Sequence, residues 1–207
     1  MNYLNYPSHC NFPDSNWENF HSQHIPVWEE QLRELKFKEN NVGIEIGSYC
    51  GGSAVWCLEN IINKDSGKLY CIDIEETDYL KNNLQPYKNV QFIKGNSLDI
   101  LRTLSHNGVS KEFADYVYVD GSHIAKNVLE DAVLSWELLK QDGIIIFDDY
   151  GWGYDRPDTE KPSTAIDAFM YIYNGLYEIK KTGWQIFLKK KKYILTQDYL
   201  QHQYKTL

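Results

Sequence analysis

From Asn41 onward the chain alternates short, nearly continuous apolar runs with longer stretches whose apolar residues recur every three or four positions. Short apolar runs bounded by turn residues read as buried strands, and the longer spacing reads as helix. The strand-like runs are Val42 to Ile46, Leu69 to Ile74, Val90 to Ile93, Tyr116 to Val119 and Ile144 to Phe147. Behind the first run, Ala54, Val55, Leu58, Ile61 and Ile62 form a helical stripe with Ser53 placed to cap it. Before the fifth run, Ala125, Val128, Ala132, Trp136 and Leu139 form a second stripe, which Asp142-Gly143 is expected to end. Such alternation predicts a parallel sheet covered on both faces.

The chain's end breaks the pattern. A helix near Ser163 to Tyr173 is followed by Tyr177 to Lys181 and Trp184 to Leu188 across a turn at Gly183, and two strands so tightly joined should pair antiparallel. The expected fold is therefore α/β, doubly wound, with a mostly parallel seven-stranded sheet closed by an antiparallel hairpin. Upstream, Pro26 to Leu35 reads as a helix with proline in its first turn and Val27, Leu32 and Leu35 available to a core. Residues 1–40 are expected to form a lid or flank, 41–190 the domain and 191–207 a tail.

Composition narrows the partners. A chain of 207 residues, 43% hydrophobic and 24% charged, suits one ordinary globular domain, and a formal charge of -8 disfavours a broad nucleic-acid footprint. No apolar run has membrane-spanning length and no charged-then-apolar leader opens the chain, so a soluble, cytoplasmic protein is expected. The four cysteines show no C-x-x-C pairing and read as reduced thiols. His21 and His24, downstream of Cys10, lack a fourth zinc ligand and read as polar loop residues.

Two strand ends carry the candidate chemistry: Asp120-Gly121-Ser122-His123 after the fourth run and Asp148-Asp149-Tyr150 after the fifth. On neighbouring strands they would gather three carboxylates and an imidazole at the edge of an open sheet where ligands bind. Hard oxygen donors of this kind suit Mg²⁺ foremost, or Mn²⁺ or Ca²⁺. Tyr150, Trp152 and Tyr154 either wall an acceptor site or pack the loop. The first strand leads into Glu45-Ile46-Gly47-Ser48-Tyr49-Cys50-Gly51-Gly52-Ser53, whose amides at a helix start can meet a polar ligand. This turn is neither G-x-G-x-x-G nor a triphosphate loop. Asp73, ending the second strand, would accept hydrogen bonds from a ribose, and Glu45 would add negative charge that suits a cationic ligand. After the third strand come Asn96, able to bond a base edge, and Ser97, which either joins it or caps the next helix.

At these residues the chain resembles the class I S-adenosylmethionine (SAM)-dependent methyltransferases. The strand-four and strand-five ends resemble the branch containing catechol O-methyltransferase and the macrolide deoxysugar O-methyltransferases. The resemblance implies a Rossmann-like methyltransferase fold, with cofactor contacts among Glu45, Gly47, Ser48, Tyr49, Gly51, Ser53, Asp73, Asn96, Ser97 and Asp120. It further implies a divalent metal on Asp120, Asp148 and Asp149, with His123 taking the acceptor's proton. The expected acceptor is a hydroxyl of a sugar or another small polyhydroxylated molecule, and a homo-oligomer is left open. A nicotinamide-dependent oxidoreductase and a non-catalytic methyltransferase-like scaffold are the competing readings. The first is disfavoured by the missing G-x-G-x-x-G and the final hairpin, the second by the intact acid set.

Overall fold

A computed structural model of the chain describes residues 6–13, 15–106 and 112–192, with the side chains of 15–22 left aside. The predicted tail lies almost wholly outside these residues. The strands β1 (Val42–Ile46), β2 (Lys68–Asp73), β3 (Val90–Lys94), β4 (Ala114–Val119), β5 (Leu139–Phe147), β6 (Tyr177–Lys181) and β7 (Ile186–Lys190) form one sheet in the order β3-β2-β1-β4-β5-β7-β6. The first five are parallel, while β7 runs antiparallel to both β5 and β6. This is the expected doubly wound sheet with its terminal hairpin.

Among the described residues six helices cover it: α1 (Ser15–Gln31), α2 (Gly52–Asn60), α3 (Asp78–Leu84), α4 (Ser97–His106), α5 (Ala125–Leu138) and α6 (Pro162–Ile172). Side chains along a strand point alternately to the two faces. The first core accordingly joins Tyr116, Tyr118, Ile144 and Ile146 to α1 and α2 through Trp28, Leu32, Val55 and Leu58. The second joins Val117, Val119, Ile145 and Phe147 to α5 and α6 through Ala132, Trp136, Ile166 and Phe169. Among the described residues, no helix is long and apolar enough to cross a membrane.

Three local expectations are corrected. Pro26 lies inside α1 rather than opening a helix there, and a short 3₁₀ turn, Arg33–Leu35, replaces the helix's expected end. Buried Ile25 and Trp28 continue the apolar stripe on either side of the proline, so packing holds a helix across a residue that would otherwise start one. Ser53 does not cap α2: Gly51, at φ 81°, holds the N-cap position, and its left-handed conformation makes the tight turn. Asp142-Gly143 does not end α5, because the chain becomes extended at Leu139 and runs on into β5. Ala114 pairs with Leu139 and Tyr116 with Ile144, so the extra β5 residues bulge, with Asp142 at φ 65°.

Candidate active site

The turn after β1 is strapped to its neighbours by backbone bonds. Gly47 N–H donates to the Ile72 carbonyl at 2.8 Å, and the N–H groups of Ser48 and Tyr49 donate to Asp73 Oδ2 at 2.8 and 2.9 Å. Asp73 Oδ1 also accepts from Glu75 N–H at 3.1 Å. The expected open amides are therefore occupied by the acid expected to bind a ribose, which makes Asp73 first the organiser of the turn. Gly47 is required by contact as well as conformation: at φ 86°, an added Cβ would lie 2.1 Å from the Asp120 carbonyl oxygen.

Glu45 departs from expectation. Ile44 and Ile46 face the α5 side of the sheet, so Glu45 faces the other, where it is 1% exposed. Burial pushes its carboxyl up to about 7 despite the opposing influence of the Ser53 and Ser48 hydroxyls, and Oε1 has no hydrogen-bond partner. It braces the underside of the turn and carries only part of a charge near neutrality.

A cavity of about 280 Å³ opens on the α5 side beyond the strand ends. Its wall includes Gly47 and Asp73 at one side, Gly95, Asn96, Ser97 and Leu98 at another, and Gly121, Ser122, Asn127 and Asp131 between β4 and α5. Of the expected cofactor residues, Gly47, Asp73, Asn96 and Ser97 line it, whereas Glu45, Ser48, Tyr49, Gly51, Ser53 and Asp120 do not. Asn96 Oδ1 caps α4 by accepting Leu98 N–H at 3.0 Å, while Ser97 and Asp131 share the same wall.

Beside the cavity the strand-four and strand-five ends do converge. The Tyr118 hydroxyl reaches Asp120 Oδ2 at 2.9 Å and makes a shorter contact with Asp148 Oδ2. Asp148 also accepts from Gln185 Nε2 at 2.7 Å and, through Oδ1, from Asp149 N–H at 2.7 Å. Asp149, at φ 59°, turns its side chain away to His123, with Nε2 and Oδ2 2.8 Å apart. Trp152 packs on the imidazole at 4.2 Å between ring centres and Arg156 lies over the indole at 4.6 Å. Of the other two aromatic candidates, Tyr150 bonds Asp167 on α6 and Tyr154 is exposed.

Burial raises Asp120 well above the usual carboxylate range, and the charges of Asp148 and Asp149 raise it further. Burial raises Asp148 too, against hydrogen bonds from Tyr118 and Gln185. One phenolic proton cannot serve two carboxylates. The cluster is completed either by a further proton on Asp120 or by a cation, and its all-oxygen donors fit a hard divalent ion. Among the described residues, no three His, Cys, Asp or Glu side chains stand in a ready metal-holding group, Asp149 being turned to His123.

Three contributors escaped the sequence reading. Gln185 belongs to the turn before β7, and its Oε1 accepts from Trp28 Nε1 at 2.7 Å, so α1 reaches Asp148 through one amide. His24, also on α1, lies near Asp148 and Asp149; burial lowers its pKa, and those two charges oppose the shift. Tyr118 was read only as a strand residue. Its period-two alternation with Val117 and Val119, which face α5, was the available signal, whereas nothing local links residues 28 and 185.

This arrangement of sheet, turn and acid-tipped strands is that of the class I SAM-dependent methyltransferases. Residues 44–150 match the model of a methyltransferase-domain family, and the chain belongs to that family. Among known proteins, it is similar to the uncharacterised protein R132 of Acanthamoeba polyphaga mimivirus, 33% identical over 131 residues, which span 58% of this chain and 57% of that one. The chain thus matches little more than half of that relative's length. Among solved structures, the methyltransferase MycE of the mycinamycin biosynthetic pathway, in complex with Mg, S-adenosylhomocysteine (SAH) and mycinamycin VI, aligns with a TM-score of 0.64 at 17% identity over 84% of this chain and 52% of that one. The O-methyltransferase TomG from Streptomyces achromogenes, involved in tomaymycin synthesis and bound to SAM, gives 0.60 at 18% identity over 82% and 79%. At these identities the likeness is one of fold.

Proposed function

We propose that the protein is a SAM-dependent O-methyltransferase, assisted by a divalent metal, that methylates a hydroxyl of a sugar or another small polyhydroxylated molecule. The observation that carries this reading is the adjacency of the Gly47–Asp73 cavity to the Asp120–Asp148–Asp149–His123 cluster, joined through Gly121 and Ser122. A methyl donor seated along the first and an acceptor hydroxyl held at the second would meet with little motion, and holding two reactants in line supplies much of a transfer's acceleration.

Asp120 and Asp148 would hold the metal, which Asp149 could join only by leaving His123, and the ion's charge would ease ionisation of the acceptor hydroxyl. His123 takes the hydroxyl proton, and Asp149 orients the ring and stabilises the imidazolium that results. Trp152 packs at a 41° tilt against that ring, which stays open to solvent. The sugar preference rests on His123 and on the likeness to the sugar-modifying branch; among catechols, nucleosides and sugars it is the acceptor class to try first.

Methyl transfer from SAM across an acceptor panel, with and without EDTA, tests both parts. We expect transfer to sugar hydroxyls that EDTA abolishes and Mg²⁺ restores. Full activity in excess chelator removes the metal role, and binding of NAD in place of SAM removes the whole reading.

A further inference from the structure

Among the described residues the sheet ends on two edges of different character. β3 is half-buried at Val90, Phe92 and Ile93, whereas β6 is exposed from Glu178 to Lys181. An edge strand leaves every second backbone N–H and C=O unpaired, which makes it a template for another strand. Water can satisfy those groups, so the side chains decide whether a strand docks there and which one.

The strand Tyr177-Glu178-Ile179-Lys180-Lys181 is complementary to itself. Laid antiparallel to a second copy with Ile179 on the twofold axis, it sets Glu178 opposite Lys180 of that copy, and symmetry makes the pair occur twice. Moving the axis by one residue, to Glu178 or to Lys180, brings like charges face to face, which is unfavourable. The two side chains leave the strand on one side, with Lys180 Nζ 3.4 Å from Glu178 Oε1. On β7, Lys189 stands opposite Glu178 but pairs with Glu34 at 3.3 Å, and the register break between Ile179 and Lys181 gives Lys180 no opposite residue.

A pair of five-residue strands is a small contact by itself. The end of α6 adds to it. The Tyr177 hydroxyl donates to the Met170 carbonyl at 2.9 Å, which seats the helix's last turn against the start of β6, and in that turn Tyr171 and Ile172 are 86% and 68% exposed. Exposed Ile179 lies on the same face of the sheet, since its β7 partner Leu188 belongs to the core shared with α6. Large apolar side chains exposed together, rather than singly, mark an interaction surface. We propose that the protein forms a twofold dimer through β6, continuing the sheet from one copy into the next, with the Tyr171–Ile172 turn of each α6 added to the contact. This is independent of the methyl-transfer reading.

Sedimentation of the full chain over a dilution series tests it, with the wild type expected at twice the mass of one chain. Glu178→Lys sets two pairs of like charges across the axis, and Lys180→Glu does the same with the other sign. Each should weaken the dimer by about tenfold or more, because symmetry counts the change twice. Mixed together, the two variants should associate again, since each strand then opposes charges of the other sign. A defect inside one chain could not be repaired in that way. A wild type that stays monomeric up to about 0.1 mM overturns the proposal, as it would if a segment of the same chain occupied the edge. A dimer that both variants leave intact overturns it too, by placing the contact elsewhere, and so do monomeric variants whose mixture stays monomeric.

Discussion

The site has two halves built on different principles. At the β1–β2 end, backbone amides and one carboxylate satisfy each other: Gly47, Ser48 and Tyr49 donate, Ile72 and Asp73 accept, and every partner lies between residues 47 and 75. At the β4–β5 end, carboxylates face each other across a single hydroxyl, and the nearest neutral support comes from Gln185 and, behind it, Trp28. The first half is preformed and electrically settled. The second is short of positive charge, and the chemistry is expected there because a group that needs a proton or cation can also exchange one.

Substitutions can break this division. The largest effect is expected from His123→Ala, which should lower methyl transfer by about 10²–10⁴-fold while leaving SAH affinity intact. Unchanged turnover would remove the imidazole as base, and a parallel loss of SAH affinity would mean the halves are not separable. Next is Gly47→Ala, which forces a left-handed non-glycine residue against the Asp120 carbonyl and should destabilise the fold by about 3–5 kcal/mol. Gly183→Ala, with no atom within 4 Å of the added Cβ, is the matched control in thermal unfolding.

Glu45 tests whether the settled half is settled at every pH. Its folded-state pKa of about 7 lies above the ordinary 4.5, so the neutral form is favoured by folding. Its contribution is fully present below about 4.5 and is lost as pH rises through about 7. Glu45→Gln should therefore gain on the wild type across that window, by up to about 3 kcal/mol at alkaline pH. Parallel stability-against-pH curves for the two proteins would contradict this. The smallest effect is expected from Trp28→Phe, which strips the donor from Gln185 Oε1 and should cost about 1–3 kcal/mol by denaturant titration. A loss confined to stability would make α1 a cover; a loss of turnover as well would make it part of the acid half.

The same division separates what was legible in the sequence from what was not. The strands and the terminal hairpin followed from apolar runs and turn residues, because burial on both sheet faces writes itself into consecutive positions. Asp73 and Gly47 were identifiable because the turn and the acid that straps it sit at the ends of neighbouring strands. The orientation of Glu45 was misjudged, although alternation with Ile44 and Ile46 already placed it on the opposite face. Asp149 turning to His123 and the amide bridge from Trp28 depend on contacts between distant elements. No spacing in the chain encodes them.

The stretch shared with the methyltransferase-domain family, residues 44–150, contains the whole glycine turn and all three clustered acids. It contains neither Trp28 nor Gln185. A graft of that stretch onto another scaffold would thus carry the strapped turn and the acids together and arrive with Asp148 stripped of the Gln185 amide. The common module brings the acids, and the flanking chain brings their neutral support.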